Sequence, residues 1–182
     1  MKRIAKFAAA LLAVTSFAIP AQAALKQGAT APMFHTTGAL AGKEFRFDLD
    51  KALKRGPVVL YFYPKAFTQG CTLEAHAFAE AMPDFKAAGA SVVGMSNDDI
   101  ETLKRFSTEA CRDAFPVARA NPGLVNAYDV ELVRAGVPSG MTDRVSYVIA
   151  PGGKVVMVHA DMDWRQHVAK TLAAVRALKA RK

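Results

Sequence analysis

The run Val58-Val59-Leu60-Tyr61-Phe62-Tyr63, bounded by Gly56-Pro57 and Pro64, narrows the possible folds of this chain more than any other stretch. Consecutive apolar, aromatic and β-branched residues between chain breakers describe a strand buried on both faces, as in sheets covered by helices on each side. Pro64-Lys65-Ala66-Phe67-Thr68-Gln69-Gly70-Cys71 follows, after which Leu73, Ala77, Phe78 and Ala81 recur at helical spacing. A cysteine is thereby set where a strand turns into a helix. Helix starts leave backbone N–H groups unpaired and carry partial positive charge, and both favour a thiolate over a thiol. Cys71 therefore reads as a nucleophile, at the strand end where open α/β sheets place their ligands.

The remaining pattern is that of one α/β layer structure. Leu25 to Asp48 predicts an N-terminal extension with a short hairpin or edge strand. Pro83 is expected to break the helix after Cys71 or to start a second short one ending near Gly89. Ser91 to Ser96 reads as a second buried strand, and Asn97-Asp98-Asp99 caps a helix on which Ile100, Leu103, Ser107 and Cys111 share a face. Phe115 to Ala118 reads as a short strand and Asn121 to Tyr128 as a turn and short helix. Arg144–Ile149 and Lys154–Val158 form a hairpin about Pro151-Gly152-Gly153. Trp164, Val168, Leu172, Val175 and Leu178 mark a last amphipathic helix. The order β-α-β-α-β-short helix-β-β-α predicts an α/β thioredoxin-like fold, a mixed central sheet flanked by helices.

The N-terminus has its own signature. Lys2, Arg3 and Lys6 precede an apolar stretch from Phe7 to Ile19 and then Ala21-Gln22-Ala23, the arrangement of a secretory signal with a small-residue cleavage site. A membrane anchor is the competing reading, but a span needs roughly 18 to 20 apolar residues. The expected division is a signal peptide over 1–23 and one domain over 24–182, exported to a bacterial periplasm. Removing 23 of 182 residues leaves 159, enough for a sizeable single core. The net charge falls from +8 to +5 and is spread over surface positions such as Lys51, Lys54, Lys104 and Arg176. Nucleic-acid binding would ask for a concentrated basic stripe or a known motif, and neither is present.

Both cysteines lie in the exported part, where disulfides are permitted. Cys71 and Cys111 can form a structural staple or a catalytic pair that opens and closes, although a chain of this length does not need a staple to fold.

Pro64-x-x-x-Thr68-x-x-Cys71 after a buried strand resembles the active-site signature of the peroxiredoxins, thiol peroxidases that reduce hydroperoxides without metal or haem. The wording PKAFTQGCT is similar to the peroxiredoxin Q, or bacterioferritin comigratory protein, branch, and the resemblance extends over nearly all of the chain after the signal. It implies a peroxidatic Cys71, with Thr68 holding its hydroxyl near sulfur and substrate and Pro64 shielding the thiolate. Arg144, in Asp143-Arg144-Val145-Ser146-Tyr147-Val148-Ile149, matches the family arginine that would keep Cys71 ionised and donate to peroxide oxygens. Glu74 matches a supporting acid, although the helix dipole alone would also favour a carboxylate there.

Attack leaves a sulfenic acid, which a second thiol removes before irreversible oxidation. Many members of the branch carry that thiol five residues after the first, where this chain has His76. Cys111 fits another family location and would resolve Cys71 as an intramolecular disulfide; its plainer reading is a small buried hydrophobe. The implied partners are a hydroperoxide, hydrogen peroxide or organic, and a thioredoxin-like or other dithiol reductant, with a monomer as the default state. Gln69, where the branch usually has proline, and the Gly136–Thr142 loop are further departures.

Two other classes stand beside this reading. An exported thiol-disulfide oxidoreductase normally uses Cys-x-x-Cys, which is absent. A copper-binding thioredoxin-like protein could use Cys71, His76, His159 or His167, though these form no tight sequence cluster.

Overall fold

The computed structural model describes residues 24–180; the expected signal peptide, 1–23, lies outside them. In chain order they form β1 (His35–Leu40), β2 (Lys43–Asp48), α1 (Leu49–Leu53), β3 (Val58–Phe62), α2 (Gln69–Ala87), β4 (Ser91–Ser96) and α3 (Ile100–Glu109). There follow β5 (Val117–Arg119), α4 (Pro122–Tyr128), β6 (Glu131–Arg134), β7 (Val137–Thr142), β8 (Val145–Ile149) and β9 (Val155–Ala160). A 3-10 turn (Trp164–Gln166) leads into α5 (His167–Lys179).

One mixed sheet has the order β2-β1-β5-β4-β3-β8-β9. β3 runs parallel to β4 and antiparallel to β8, so the thiol-bearing loop leaves the middle of the sheet. Successive β3 side chains enter opposite cores. Val59, Tyr61 and Tyr63 join α2, α3 and α5 through Phe78, Phe85, Phe106 and Val175. Val58, Leu60 and Phe62 join α1 and α4 through Leu49, Leu53, Leu124 and Tyr128. Helices cover both faces, which is why the strand shows no polar alternation. Gly94 in β4 is needed on packing grounds: a Cβ there would sit 2.8 Å from the Tyr61 hydroxyl.

The expected N-terminal strands form a hairpin at the sheet edge, turning at Ala41-Gly42 with φ 50° and 72°. Positive φ at both turn residues matches the right-handed twist of the strands.

Three expectations need correcting. Pro83 neither breaks the helix nor starts another, because α2 continues through it to Ala87. Proline inside a helix costs about 3 kcal/mol. Phe78, Met82 and Phe85 are buried around it, at about 1.5–3 kcal/mol each, and together they outweigh that cost. Cys111 does not extend the face of α3, which ends at Glu109; it sits in the turn beyond and is nevertheless fully buried. The Gly136–Thr142 loop is mostly strand, since β7 pairs with β6 in a small separate hairpin.

Candidate active site

The loop between β3 and α2 is held from the side. Tyr63 N donates to Met95 O, and Ala66 N donates to Asp98 Oδ2 at 2.8 Å. Thr142 Oγ1 donates to Tyr63 O at 2.5 Å, which fastens the end of β7 to the same corner. Phe67 adopts φ 63°, an uncommon conformation for a side chain of its size, just before the helix begins. Pro64 is half-buried at the strand exit. Thr68 is the exposed N-cap of α2; its hydroxyl donates to Lys65 O at 3.0 Å rather than capping the helix, and the oxygen keeps acceptor capacity.

Cys71, the third residue of α2, is 1% exposed. Arg144, immediately ahead of β8, places Nη2 3.4 Å from Cys71 Sγ. Its Nη1 is paired with Glu74 Oε2, and its Nε donates to Met162 O at 3.0 Å. The guanidinium is thus fixed at three corners. Glu74 stands three residues after Cys71, on the same helix face, and is 0% exposed. Burial pushes its carboxyl up to about 8, against the opposing pull of Arg144. Burial alone would lower the Arg144 pKa, but Glu74 and then Cys71 beside it raise it on balance.

Of the predicted residues, Arg144 touches the Cys71 sulfur and Glu74 holds Arg144, while Pro64 and Thr68 lie in the loop that leads into the helix, the Thr68 hydroxyl being engaged with Lys65 O. Cys111 is not bonded to Cys71; both are free thiols in the same apolar cluster. Burial pushes the Cys111 thiol well above its ordinary range, so it rests protonated.

Sequence reading missed the support around these groups. His167 is buried, with Nδ1 2.8 Å from Ser146 Oγ, Nε2 2.9 Å from Asp161 O and Nδ1 3.8 Å from Glu74 Oε1. As a lone histidine ahead of an amphipathic helix it gave no local signal of this contact, and Asp98 looked like part of a helix cap. Of the histidines considered for copper, His167 has both ring nitrogens engaged, and among the described residues no three His, Cys, Asp or Glu side chains gather.

A buried, arginine-backed thiol at the N-terminus of a helix on a thioredoxin-like sheet defines a thiol peroxidase site, and the chain belongs to the AhpC/TSA family, whose sequence profile matches residues 27–158. It is a peroxiredoxin, a thiol-dependent peroxidase. Within the family its similarity runs to the Bcp and peroxiredoxin Q proteins. Chloroplastic peroxiredoxin Q of Sedum lineare is 33% identical over 164 residues, 86% of this chain and 81% of that protein. The crystal structure of peroxidoxin BcpB from Mycobacterium tuberculosis superposes with a TM-score of 0.72 at 32% identity, covering 85% of this chain and 98% of that one. A bacterioferritin comigratory protein of Xanthomonas campestris, studied for its alkyl peroxide reduction activity, gives 0.68 at 30% identity, over 79% of this chain and 91% of that one.

Proposed function

We propose that Cys71 is the peroxidatic residue, that it accepts hydrogen peroxide and organic hydroperoxides, and that Cys111 resolves it through an intramolecular disulfide. The observation that carries the reading is the 3.4 Å contact between Arg144 Nη2 and Cys71 Sγ, made by a guanidinium already fixed on Glu74 and the Met162 carbonyl. A pre-positioned cation beside the sulfur favours the thiolate and meets charge as it develops on the peroxide oxygens. The thiolate attacks one oxygen in line, the O–O bond breaks, and the other oxygen leaves as water or alcohol. Thr68 hydrogen-bonds the peroxide, Pro64 limits water at the sulfur, and Glu74 holds Arg144.

Cys71 is left as a sulfenic acid. Cys111 rests buried and protonated; once the first turn of α2 or the turn after α3 opens and exposes it, it gives up its proton and attacks as the thiolate, the sulfenic hydroxyl leaving with that proton as water and the disulfide forming. A thioredoxin-like or other dithiol protein then reduces the bond. The alkyl peroxide activity described for the Xanthomonas campestris relative supports organic hydroperoxides as substrates. The basic start, apolar stretch and Ala21-Gln22-Ala23 support export to a periplasm, with the mature protein acting as a monomer.

The test is stopped-flow peroxide consumption by the reduced protein, its Cys71→Ser and its Cys111→Ser variants, with mass analysis of the thiols. Fast reduction lost only in Cys71→Ser, with sulfenic acid accumulating in Cys111→Ser, is expected. A wild-type rate no better than that of a free thiol would overturn the reading.

A further inference from the structure

Arg144 faces two groups that can each carry one negative charge, Cys71 at Nη2 and Glu74 at Nη1. All three are almost wholly buried, and a low-dielectric site holding one cation is best balanced by one anion. Thiolate with carboxylic acid satisfies that condition, and so does thiol with carboxylate.

The second carboxylate oxygen shows where a proton would rest. Glu74 Oε1 is buried and has no hydrogen-bond partner among the described residues. The nearest ring nitrogen is His167 Nδ1, at 3.8 Å. The tautomer of that ring is set by its other side: Asp161 O can only accept, so Nε2 carries the hydrogen and the neutral ring offers Nδ1 as an acceptor. The Ser146 hydroxyl now occupies that acceptor at 2.8 Å, but its hydrogen rotates freely and can yield. A carboxylate at Oε1 would face a lone pair, whereas a carboxylic acid would face a partner.

We propose that Glu74 and His167 form a proton store for the peroxidase site, Glu74 Oε1 taking the Cys71 thiol proton while His167 Nδ1 accepts its hydrogen bond, and Glu74 returning it to the leaving oxygen. The proposal rests on Cys71 being the attacking residue. Cys71–SH and Glu74–COO⁻ become Cys71–S⁻ and Glu74–COOH. The thiolate attacks ROOH to give Cys71–SOH and RO⁻. RO⁻ takes the proton from Glu74–COOH and leaves as ROH, restoring the carboxylate. The sum is Cys71–SH + ROOH → Cys71–SOH + ROH. Glu74 is the proton donor and His167 a positioning residue.

The surroundings favour the proton on the carboxyl. Burial raises Glu74 to about 8 and lowers His167 to about 4. From β9, His159 packs on His167 with ring centroids 4.5 Å apart and tilted by 50°, and is lowered by burial and by Lys170 of α5, so the pair is neutral near pH 7. Tyr61 of β3, raised by burial, stays a phenol, and Arg144 opposes any charge on His167. Asp161 and Asp163, the latter paired with Arg165, lie exposed in the segment after β9.

The experiment is the pH profile of single-turnover peroxide reduction by full-length reduced protein, with Glu74→Gln, His167→Gln and His167→Asn. Wild type is expected to lose rate on the alkaline side as Glu74 gives up its proton. His167→Gln keeps a donor for Asp161 O but loses the Nδ1 acceptor. It should move that limb down by about one pH unit, slowing the reaction about twofold at pH 7 and about tenfold on the alkaline side above pH 8. His167→Asn, with an acceptor on the Nδ1 side, should recover most of both. Glu74→Gln should lose the limb and run about 10²-fold slower. Infrared difference spectra of reduced wild type against Glu74→Gln, which need no turnover, should show a carboxylic-acid C=O band near neutral pH. Absence of that band, or an alkaline limb unmoved in a folded His167→Gln, overturns the store. If wild type is instead no faster than Cys71→Ser, it is the peroxidase reading that has failed.

Discussion

Asp98 Oδ2 accepts the Ala66 amide hydrogen at 2.8 Å, and this bond ties the loop ahead of Cys71 to the residues just past β4. The same oxygen takes the hydroxyl of the buried Ser96 at 2.8 Å. Asp98→Ala strands both donors and should cost about 1–3 kcal/mol. The rate of peroxide reduction should fall by up to about 10²-fold as the loop shifts. Asp98→Asn, which keeps an acceptor, should lose much less of either. Urea denaturation and stopped-flow rates provide the check, and an unaltered alanine variant would show that the loop is held by other contacts.

Arg144→Met should remove about 10²–10³-fold of the peroxide rate. It also leaves Glu74 buried without its cation, at about 3–5 kcal/mol where the carboxyl is ionised. Adding Glu74→Gln should restore stability but not rate. A double variant as unstable as Arg144→Met would mean that the pair is not the source of the loss.

His167 and Glu74 make stability depend on pH in opposite senses. The folded His167 titrates near 4 instead of 6.5, mainly through burial. Between those values only the unfolded chain takes up its proton, so stability falls with acidification, by on the order of 3 kcal/mol. Glu74, raised to about 8 from 4.5, holds its proton longer when folded; its contribution is complete below 4.5 and lost as pH rises through about 8. Thermal melts from acid to alkaline pH should flatten on the acid side in His167→Gln and on the alkaline side in Glu74→Gln.

Pro83 is exposed within a continuous helix. Pro83→Ala should stabilise the protein by about 2 kcal/mol, the helix-interior gain of about 3 being reduced by a looser unfolded chain. A lower midpoint in urea would mean that the proline contributes packing at this site.

Cys111 is buried beyond the end of α3, while Cys71 is in the first turn of α2. Disulfide formation by local opening predicts faster proteolysis near both positions in the oxidised protein than in the reduced one. Identical cleavage patterns would argue that the thiols meet without unwinding.

The strands and the position of Cys71 at a helix start were legible because their signals are local. Val58 to Tyr63 is bounded by chain breakers and the Cys71 motif has a recognisable spacing, whereas Arg144 was suggested only by resemblance to the family arginine ahead of a later strand. Glu74 was suggested by the family resemblance, but the residues alone left it equally a helix-start carboxylate, since its ion pair spans 70 residues of sequence. His167 and Asp98 escaped for the same reason: each acts through contacts made only once the sheet is assembled. Pro83 misled because a local propensity was overruled by burial on the other side of the helix.

Between Pro57 and Cys71 this chain can change letters more readily than length. Val59, Tyr61 and Tyr63 supply one core, and Val58, Leu60 and Phe62 the other. One inserted residue within the strand would exchange the two sets and carry the thiol away from its guanidinium. Divergent homologues should therefore conserve the residue count of this segment more strictly than its composition, and a library of single-codon insertions should find it among the least forgiving stretches of the protein.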